Sequence, residues 1–247
     1  MPQFDNDREA VIRRAAEAGV TTIVAAGIDL ESSHQVVELT ERFPGVRATV
    51  GCHPQEASLM KYEDIKKFSE LAKHKNVVAI GEIGLDYYRN KAPRETQIQV
   101  LRWQLELAET VDLPVVIHSR QAEKDMPTIL GEWLAKSKRN RSCVGIIHCF
   151  SGNGEIAQRY LGMGFYISLG AYIGYPSSSL AEVIRAIPGD RLLMETDSPF
   201  LPPQSHRSRR NEPAYLPMTL AVLARIRSEL PETLARQTTE NATRIFR

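Results

Sequence analysis

Carboxylate and imidazole side chains recur where short apolar runs of this sequence end. Glu82, His118 and His148 each close such a run, and Asp197 follows another by two residues. Because parallel strands present their carboxyl ends along one edge of a sheet, we expect these four side chains to converge there. Two imidazoles and two carboxylates suit Zn²⁺, Mn²⁺ or Ni²⁺ better than an all-Mg²⁺ site. The pattern predicts a metal site with these four residues as ligands.

Each of these residues also has a structural interpretation. A single histidine at a strand end is more often a hydrogen-bonded structural residue than a ligand, and Asp197 could begin a turn or cap a helix. His53 lies before Pro54, and it either orders that turn or contacts a substrate. Four such residues at the same end of their strands favour the metal site over four separate structural roles.

Residues 205–211 are the one concentrated basic segment, and they lie in the long polar loop after the last predicted strand. Arginine suits planar, bidentate recognition of phosphate. A solvated basic loop is the alternative, but the loop follows a strand end at the predicted metal edge, which favours phosphate binding. The arginines concerned are Arg207, Arg209 and Arg210.

The composition is that of an ordinary globular protein. The 247 residues are 43% hydrophobic and 25% charged, with a formal net charge of +1, which argues against bulk electrostatic binding of nucleic acid but permits a local basic patch. No run approaches the ~20 apolar residues of a membrane span. The acidic amino terminus lacks a signal-peptide core, and three cysteines without a C-x-x-C pair predict a cytoplasmic location. The sequence motifs of phosphate-binding loops, dinucleotide-binding folds and serine hydrolases are absent.

Strand-like and helix-like segments alternate along the whole chain. Seven strands are predicted, at residues 20–26, 47–51, 77–82, 114–118, 144–148, 165–169 and 192–195. Helices are predicted at residues 8–18, 31–42, 65–74, 94–111, 122–136, 154–161, 178–187, 213–229 and 232–246. This alternation predicts one α/β domain, residues 1–247, with a parallel sheet. An open sheet accommodates seven strands, whereas a closed (β/α)₈ barrel requires an eighth, which would precede Met1.

Five segments resemble the motifs of the TatD-type metal-dependent deoxyribonucleases, which are amidohydrolase-like barrels. They are Val78–Asp86, Pro114–Arg120, His148–Gly152, Glu195–Leu201 and Arg210–Pro213, in the family's order. The resemblance implies a TIM-like (β/α)₈ barrel with two divalent ions, of Zn, Mn, Mg or Ni, and with DNA or another nucleic acid as substrate. It implies no membrane and indicates no protein partner.

The resemblance also implies roles for the predicted site residues. Glu82 would bridge the two metals, and His118 and His148 would complete one site. Asp197 would ligate the other metal and help to deprotonate the attacking water. The candidates for holding the phosphodiester are Arg120, His53, Arg207, Arg209 and Arg210.

The sequence departs from the family at its start. Members usually begin with a strand that carries His-x-His, which supplies two ligands to the metal shared with Asp197, and no two histidines here are two residues apart. Either Met1 is an internal methionine of a longer protein, which we favour, or the barrel lacks its first strand. In the second case only one metal site, made by Glu82, His118 and His148, is well formed, and catalysis by this chain is in question.

Three functions are compatible with these residues. The leading hypothesis is a deoxyribonuclease that cleaves DNA phosphodiesters with a metal-activated water. The same chemistry serves a hydrolase of esters or amides, such as an aminoacyl-tRNA deacylase, and a panel of substrates would separate the two. A catalytically impaired nucleic-acid-binding module is the third, and its mark would be DNA retention without turnover. The basic loop favours the nuclease.

Overall fold

The computed structural model describes residues 2–137 and 143–246. Within these ranges, seven β-strands alternate with nine α-helices. The strands are β1 (Ile23–Ala26), β2 (Val46–Val50), β3 (Val77–Asp86), β4 (Val115–Arg120), β5 (Gly145–Ile147), β6 (Tyr166–Leu169) and β7 (Leu192–Met194). The helices are α1 (Arg8–Glu17), α2 (Leu30–Arg42), α3 (Asp64–Ala72), α4 (Arg94–Val111), α5 (Asp125–Lys136), α6 (Gly154–Gly162), α7 (Ala181–Ala186), α8 (Leu216–Arg227) and α9 (Pro231–Ile245).

The predicted alternation and the count of seven strands are confirmed in the described part of the chain. The helix predicted at residues 178–187 is shorter, because α7 begins only at Ala181. Three consecutive serines precede it, and serine side chains compete for backbone hydrogen bonds and so favour turns over helix interiors.

The longest helix, α4, has 18 residues and the predicted bounds. Leu101, Leu105 and Ala108 of its apolar face are buried, whereas Ile98 is half-buried. Nowhere in residues 2–137 and 143–246 is a helix both long and apolar enough to cross a membrane.

The chain forms two compact units. The β7 unit consists of Cys149–Gln158, Tyr166–Arg244 and the chain up to Ile23, and it contains α1, β6, α7, β7, α8 and nearly all of α9. The β3 unit consists of Val24–His148, Arg159–Phe165 and the last residues, and it contains most of β1 together with β2 to β5 and α2 to α5. That residues 1–247 are a single domain stays a prediction.

The strands pair in parallel within each unit. In the β3 unit, β1 to β5 are neighbours in chain order, and the pairs from β2 to β5 are parallel, with Gly84 opposite His118. In the β7 unit, β6 pairs in parallel with β7. The fully buried residues of the strands include Val50, Ile80, Ile83, Leu85, Ile117, Ile167 and Leu192. In each unit, these apolar side chains belong to the core beneath the strand ends.

The prediction that the third strand ends at Glu82 is wrong, because β3 continues to Asp86. Its pairing with β4 shifts register just before Ile83, which places an irregularity at Gly81 and Glu82. A Cβ atom on Gly81 would lie 2.6 Å from Cβ of Val116, so the close approach of the two strands requires glycine. Such bulges re-aim the adjacent side chain, and here that side chain is Glu82.

Candidate active site

Three histidines surround one carboxylate oxygen in the β3 unit. Oε1 of Glu82 lies 2.8 Å from Nδ1 of His118, 3.5 Å from Nε2 of His53 and 3.6 Å from Nε2 of His148. None of the four side chains is more than 17% exposed. Glu82 lies at the irregularity in β3 and His118 on β4, while His53 and His148 follow the ends of β2 and β5. The structure thus places the predicted ligands Glu82, His118 and His148 together, and their ligand role stays a prediction.

The spacing of these atoms fits a bound cation. Two donor atoms that share an ion at about 2.1 Å are roughly 3.0 Å apart in octahedral and roughly 3.4 Å apart in tetrahedral geometry. The distances from Oε1 of Glu82 to Nδ1 of His118, 2.8 Å, and to Nε2 of His148, 3.6 Å, lie close to these values. A carboxylate among imidazoles could therefore hold a divalent ion of the Zn²⁺, Mn²⁺ or Ni²⁺ type with little rearrangement.

His53 differs from the other two histidines in the use of its second nitrogen. Its Nδ1 accepts a hydrogen bond from the amide of Gln55 at 3.1 Å, so the neutral ring carries its proton on Nε2, which faces Glu82. A metal ligand needs a lone pair at that atom. His53 is therefore better suited to donate a hydrogen bond than to bind a metal.

Asp86 lies on the opposite side of His118. Its Oδ2 is 3.3 Å from Nε2 of His118, and the residue is 1% exposed. Its carboxylate accepts hydrogen bonds from Nε2 of Gln55 at 3.1 Å and from the amide of Arg89 at 2.7 Å. Histidines that ligate metals commonly pair their second nitrogen with a carboxylate. Asp86 occupies that position beside His118.

The close charges shift the pKa values of both Glu82 and His118. Burial alone would raise the pKa of Glu82, but the positive field of His148 and the hydrogen bonds with His118 and His53 hold it well below its usual range. Burial alone would lower the pKa of His118, but the carboxylates of Asp86 and Glu82 on either side of the ring raise it to about 9. Without a metal, Glu82 is ionised and His118 protonated at neutral pH, so a cation would compete with that proton.

Two glutamines of α4 fix the strand ends near this cluster. Gln104 accepts a hydrogen bond from the Cys52 amide at 2.6 Å and donates one to the Cys52 carbonyl at 3.0 Å, directly before His53. Gln97 accepts from the Asp86 amide at 2.8 Å and donates to the Asp86 carbonyl at 3.3 Å. Both glutamines are 1% exposed. The sequence analysis missed Asp86, Gln97 and Gln104, although polar residues seven apart inside a buried helix stripe were an available signal.

Asp197 lies in the β7 unit, in the loop after β7, and its φ of +53° is in the left-handed region. Asn211 organises this loop and is 0% exposed. Its Nδ2 donates to the carbonyls of Thr196 at 2.5 Å, Phe200 at 2.7 Å and Leu201 at 3.2 Å. The Asn211 side chain thus holds the backbone on both sides of Asp197.

Arg210, a predicted phosphate ligand, is engaged within the β7 unit. Its guanidinium donates to both carboxylate oxygens of Asp7, at 2.8 and 2.7 Å. Next to it, Arg14 of α1 donates to both oxygens of Glu212, at 2.9 and 2.6 Å. The Arg210 hydrogen bonds hold the pKa of Asp7 at about 2. Arg210 therefore helps to link the amino-terminal segment to the basic loop.

The other predicted phosphate ligands are more exposed. Arg207 lies over the ring of Tyr175, at 4.2 Å from its centroid, and Arg209 is exposed in the same loop. In the β3 unit, Arg120 lies over the ring of Tyr88, at 3.9 Å. Their contacts with phosphate stay predictions.

Parallel strands that alternate with helices, with a carboxylate and imidazoles at the strand ends, define a metal-dependent hydrolase of the (β/α)-barrel class. The family model described as "TatD related DNase" matches residues 1–247, and the chain belongs to that family. This confirms the predicted resemblance, the fold class and the assignment as a metal-dependent hydrolase.

Individual relatives agree with this membership. The chain is 41% identical over 246 residues to the metal-dependent hydrolase YabD of Bacillus subtilis (strain 168), and the match covers 99% of this chain and 94% of YabD. It is 38% identical over 252 residues to the 3'-5' ssDNA/RNA exonuclease TatD of Erwinia billingiae (strain Eb661), covering 99% and 95% of the two chains. The crystal structure of YJJV, a TatD homologue from Escherichia coli K12, superposes with a TM-score of 0.93 at 32% identity, covering 100% of this chain and 94% of YJJV.

Proposed function

We propose that this protein is a divalent-metal-dependent nuclease that hydrolyses phosphodiesters of single-stranded DNA, with Glu82, His118, His148 and Asp197 as its metal ligands. The observation that carries the proposal is the convergence of imidazole nitrogens on one ionised carboxylate oxygen, at 2.8 to 3.6 Å from Glu82 Oε1. The names of the relatives support the choice of substrate, since the Erwinia billingiae protein is named as an exonuclease of single-stranded DNA and RNA.

The site residues have different roles in the proposed reaction. A bound divalent ion supplies Lewis-acid polarisation of the phosphoryl oxygen and lowers the pKa of water. His53 has a single N–H, at Nε2, because its Nδ1 is already an acceptor for the Gln55 amide. That N–H faces Glu82 Oε1 at 3.5 Å, and it donates to a phosphate oxygen in place of Glu82 when substrate binds. Asp197 accepts a proton from the attacking water, a role that its family motif supports. Cleavage assays with single metals, and with strands labelled at either end, identify the ion and the cleavage polarity.

Exposed arginines bind the phosphate backbone in this proposal. Arg207 and Arg209 are exposed and contact phosphates by charge-assisted hydrogen bonds. Arg210 contributes by holding the loop, because Asp7 already engages its guanidinium. A cytoplasmic location completes the proposal, supported by the spacing of the cysteines and by Cys52, whose pKa is raised to about 12 by burial, as in a structural thiol.

The test is cleavage of a fluorescein-labelled oligothymidylate with Mg²⁺, Mn²⁺, Zn²⁺ or Ni²⁺ added singly, and with EDTA. We expect EDTA to abolish cleavage, and Glu82→Gln to lower the rate by roughly 10²-fold or more, since loss of even a residue that supports a metal ligand lowers metal affinity or activity ~10- to 100-fold. The matched control is Glu132→Gln, which removes a half-exposed carboxylate paired with Arg102 at 2.7 Å, and it should match the wild type. Turnover of carboxylic or aminoacyl esters without cleavage of any oligonucleotide would contradict the proposal.

A further inference from the structure

We propose that Tyr88 and Arg120 form a base-stacking subsite for single-stranded nucleic acid beside the Glu82–His118 cluster. Tyr88 is 54% exposed, an unusual position for a large aromatic ring. The guanidinium carbon of Arg120 lies 3.9 Å from the centroid of that ring. A planar cation stacked on an exposed aromatic ring offers a flat surface on which a nucleobase can stack. This inference takes its ligand class from the proposed function.

The turn that carries Tyr88 is fixed to the cluster through one carboxylate. Oδ1 of Asp86 accepts a hydrogen bond from the Arg89 amide at 2.7 Å, which closes the turn. Oδ2 of the same residue lies 3.3 Å from Nε2 of His118. The stacking surface and a predicted metal ligand therefore share one buried anchor, so their separation is set by the fold.

The strands place Arg120 in the same way. Asp86 is opposite Arg120 in the β3–β4 register, and the Tyr87 amide donates to the Arg120 carbonyl at 2.9 Å. Arg120 lies two residues beyond His118, so the alternation of β4 puts both side chains on one face. A base on Tyr88 and Arg120 would thus belong to a nucleotide adjoining the phosphate held at the cluster.

The neighbouring tyrosine, Tyr87, is packed into the protein and contrasts with Tyr88. The ring of Tyr87 is 9% exposed, its hydroxyl donates to Asp125 at 2.7 Å, and Arg94 lies over it at 4.3 Å. Tyr87 is thereby part of the packed structure. Arg89, next to Tyr88 in the turn, is exposed, and it adds the positive charge that single-strand sites combine with aromatic rings.

The experiment measures binding rather than cleavage, by fluorescence anisotropy of a phosphorothioate-linked oligothymidylate and of an abasic strand of equal length and charge. For Tyr88→Ala we expect the Kd for oligothymidylate to rise about 5- to 150-fold, the factor for the ~1–3 kcal/mol of one stacked base. Binding of the abasic strand should be unchanged. Tyr88→Phe keeps the ring and should restore wild-type affinity. Tyr62→Ala is the surface control, since Tyr62 is 59% exposed but packs against Trp103 on α4.

The possible outcomes separate this subsite from the proposed function. An unchanged Kd for oligothymidylate in Tyr88→Ala overturns the subsite, as does an equal loss for the abasic strand, which would indicate a disturbed turn. Metal-dependent cleavage of a phosphodiester-linked abasic strand, which has no ring to stack, should be the same in Tyr88→Ala and wild type. A wild type that prefers the base-bearing strand but cleaves no phosphodiester keeps the subsite and overturns the nuclease.

Discussion

Replacement of Asn211 by alanine should release the loop that carries Asp197. The side chain is wholly buried and makes four polar contacts: three from Nδ2 to backbone carbonyls, and one from the Glu212 amide to Oδ1 at 2.9 Å. An amide group has only two N–H bonds, so the contact at 3.2 Å shares a hydrogen with a shorter one. Alanine would leave at least two carbonyls and one amide without a partner inside the protein.

The expected loss of stability follows from that count. Leaving one buried backbone group unpaired costs about 1–3 kcal/mol. Three such groups, with some relaxation of the loop, correspond to about 3–5 kcal/mol, a large part of the ~5–15 kcal/mol that stabilises a typical domain. Asn211→Asp should be at least as damaging, because it turns an acceptor oxygen towards the carbonyls of Thr196 and Phe200 that Nδ2 now satisfies.

Asn241 offers a matched control in the same unit. It is 2% exposed, and its Nδ2 bridges the carbonyls of Gly189 at 2.8 Å and Leu192 at 2.9 Å. Both alanine variants should lower the midpoint of urea unfolding, that of Asn211 by about 1–1.7 M if the m-value is ~3 kcal/mol/M. Only Asn211→Ala should also lower the metal-dependent rate per folded molecule, by a factor on the order of 100 for a misplaced catalytic group.

The activity comparison is made at low temperature and without urea, where both variants are folded. A rate for Asn211→Ala equal to that of Asn241→Ala would show that the Asn211 contacts hold the fold without positioning Asp197. An unfolding midpoint equal to that of the wild type would refute the hydrogen-bond account itself.

Three further predictions concern the β3 unit. The pKa of His118 is raised to about 9 without metal. Protonated His118 therefore stabilises the fold by up to ~3 kcal/mol below its unfolded pKa of about 6.5, and this contribution is lost as pH rises towards 9. In EDTA, Tm should fall between these two pH values, and a constant Tm would contradict this. Burial raises the pKa of Cys52 to about 12, so Ellman's reagent at pH 8 should modify this thiol only after unfolding, and rapid labelling in the native protein would count against it. A Cβ on Gly84, where φ is +150°, would lie 1.9 Å from the His118 carbonyl oxygen. Gly84→Ala should therefore abolish metal binding measured by calorimetry. The control Gly131→Ala should be tolerated, because its Cβ would meet only Met163 at 3.7 Å.

The sequence predicts the strand count and the proximity of Glu82, His118 and His148 for a simple reason. Parallel strands buried on both faces are continuous apolar runs, and a charged residue that closes such a run must lie at the strand end. Glu82 is the instructive exception, because its run of apolar residues is interrupted within the strand rather than ended. A glycine before a carboxylate is equally compatible with a strand end and with a bulge. Only the register with β4 distinguishes the two.

Other features depend on distant pairings that periodicity does not encode. The basic loop predicts phosphate binding from its charge alone, yet Asp7, 203 residues away in sequence, neutralises Arg210. His53 is grouped by type with His118 and His148, and only the Gln55 amide at its Nδ1 shows that its lone pair is already used. A residue type thus indicates which chemistry is available, while its partners decide which atom can perform it.

The glutamines of α4 extend the same reasoning to the precision of the site. Gln97 and Gln104 lie seven residues apart, two turns of one helix face, so a single rigid helix holds the backbone at Asp86 and at Cys52. Those two positions lie beside His118 and His53, whose rings are 4.5 Å apart between centroids. Each glutamine hydrogen-bonds both the backbone N–H and the backbone carbonyl of one residue near a strand end, where regular pairing with a neighbouring strand stops. The helix therefore helps to set the spacing between two imidazoles, one on β4 and one in the segment after β2. A buried polar residue in an otherwise apolar helix stripe therefore indicates that the helix holds the backbone of an adjoining strand end beside a functional site. Such residues can be found from the helix sequence alone.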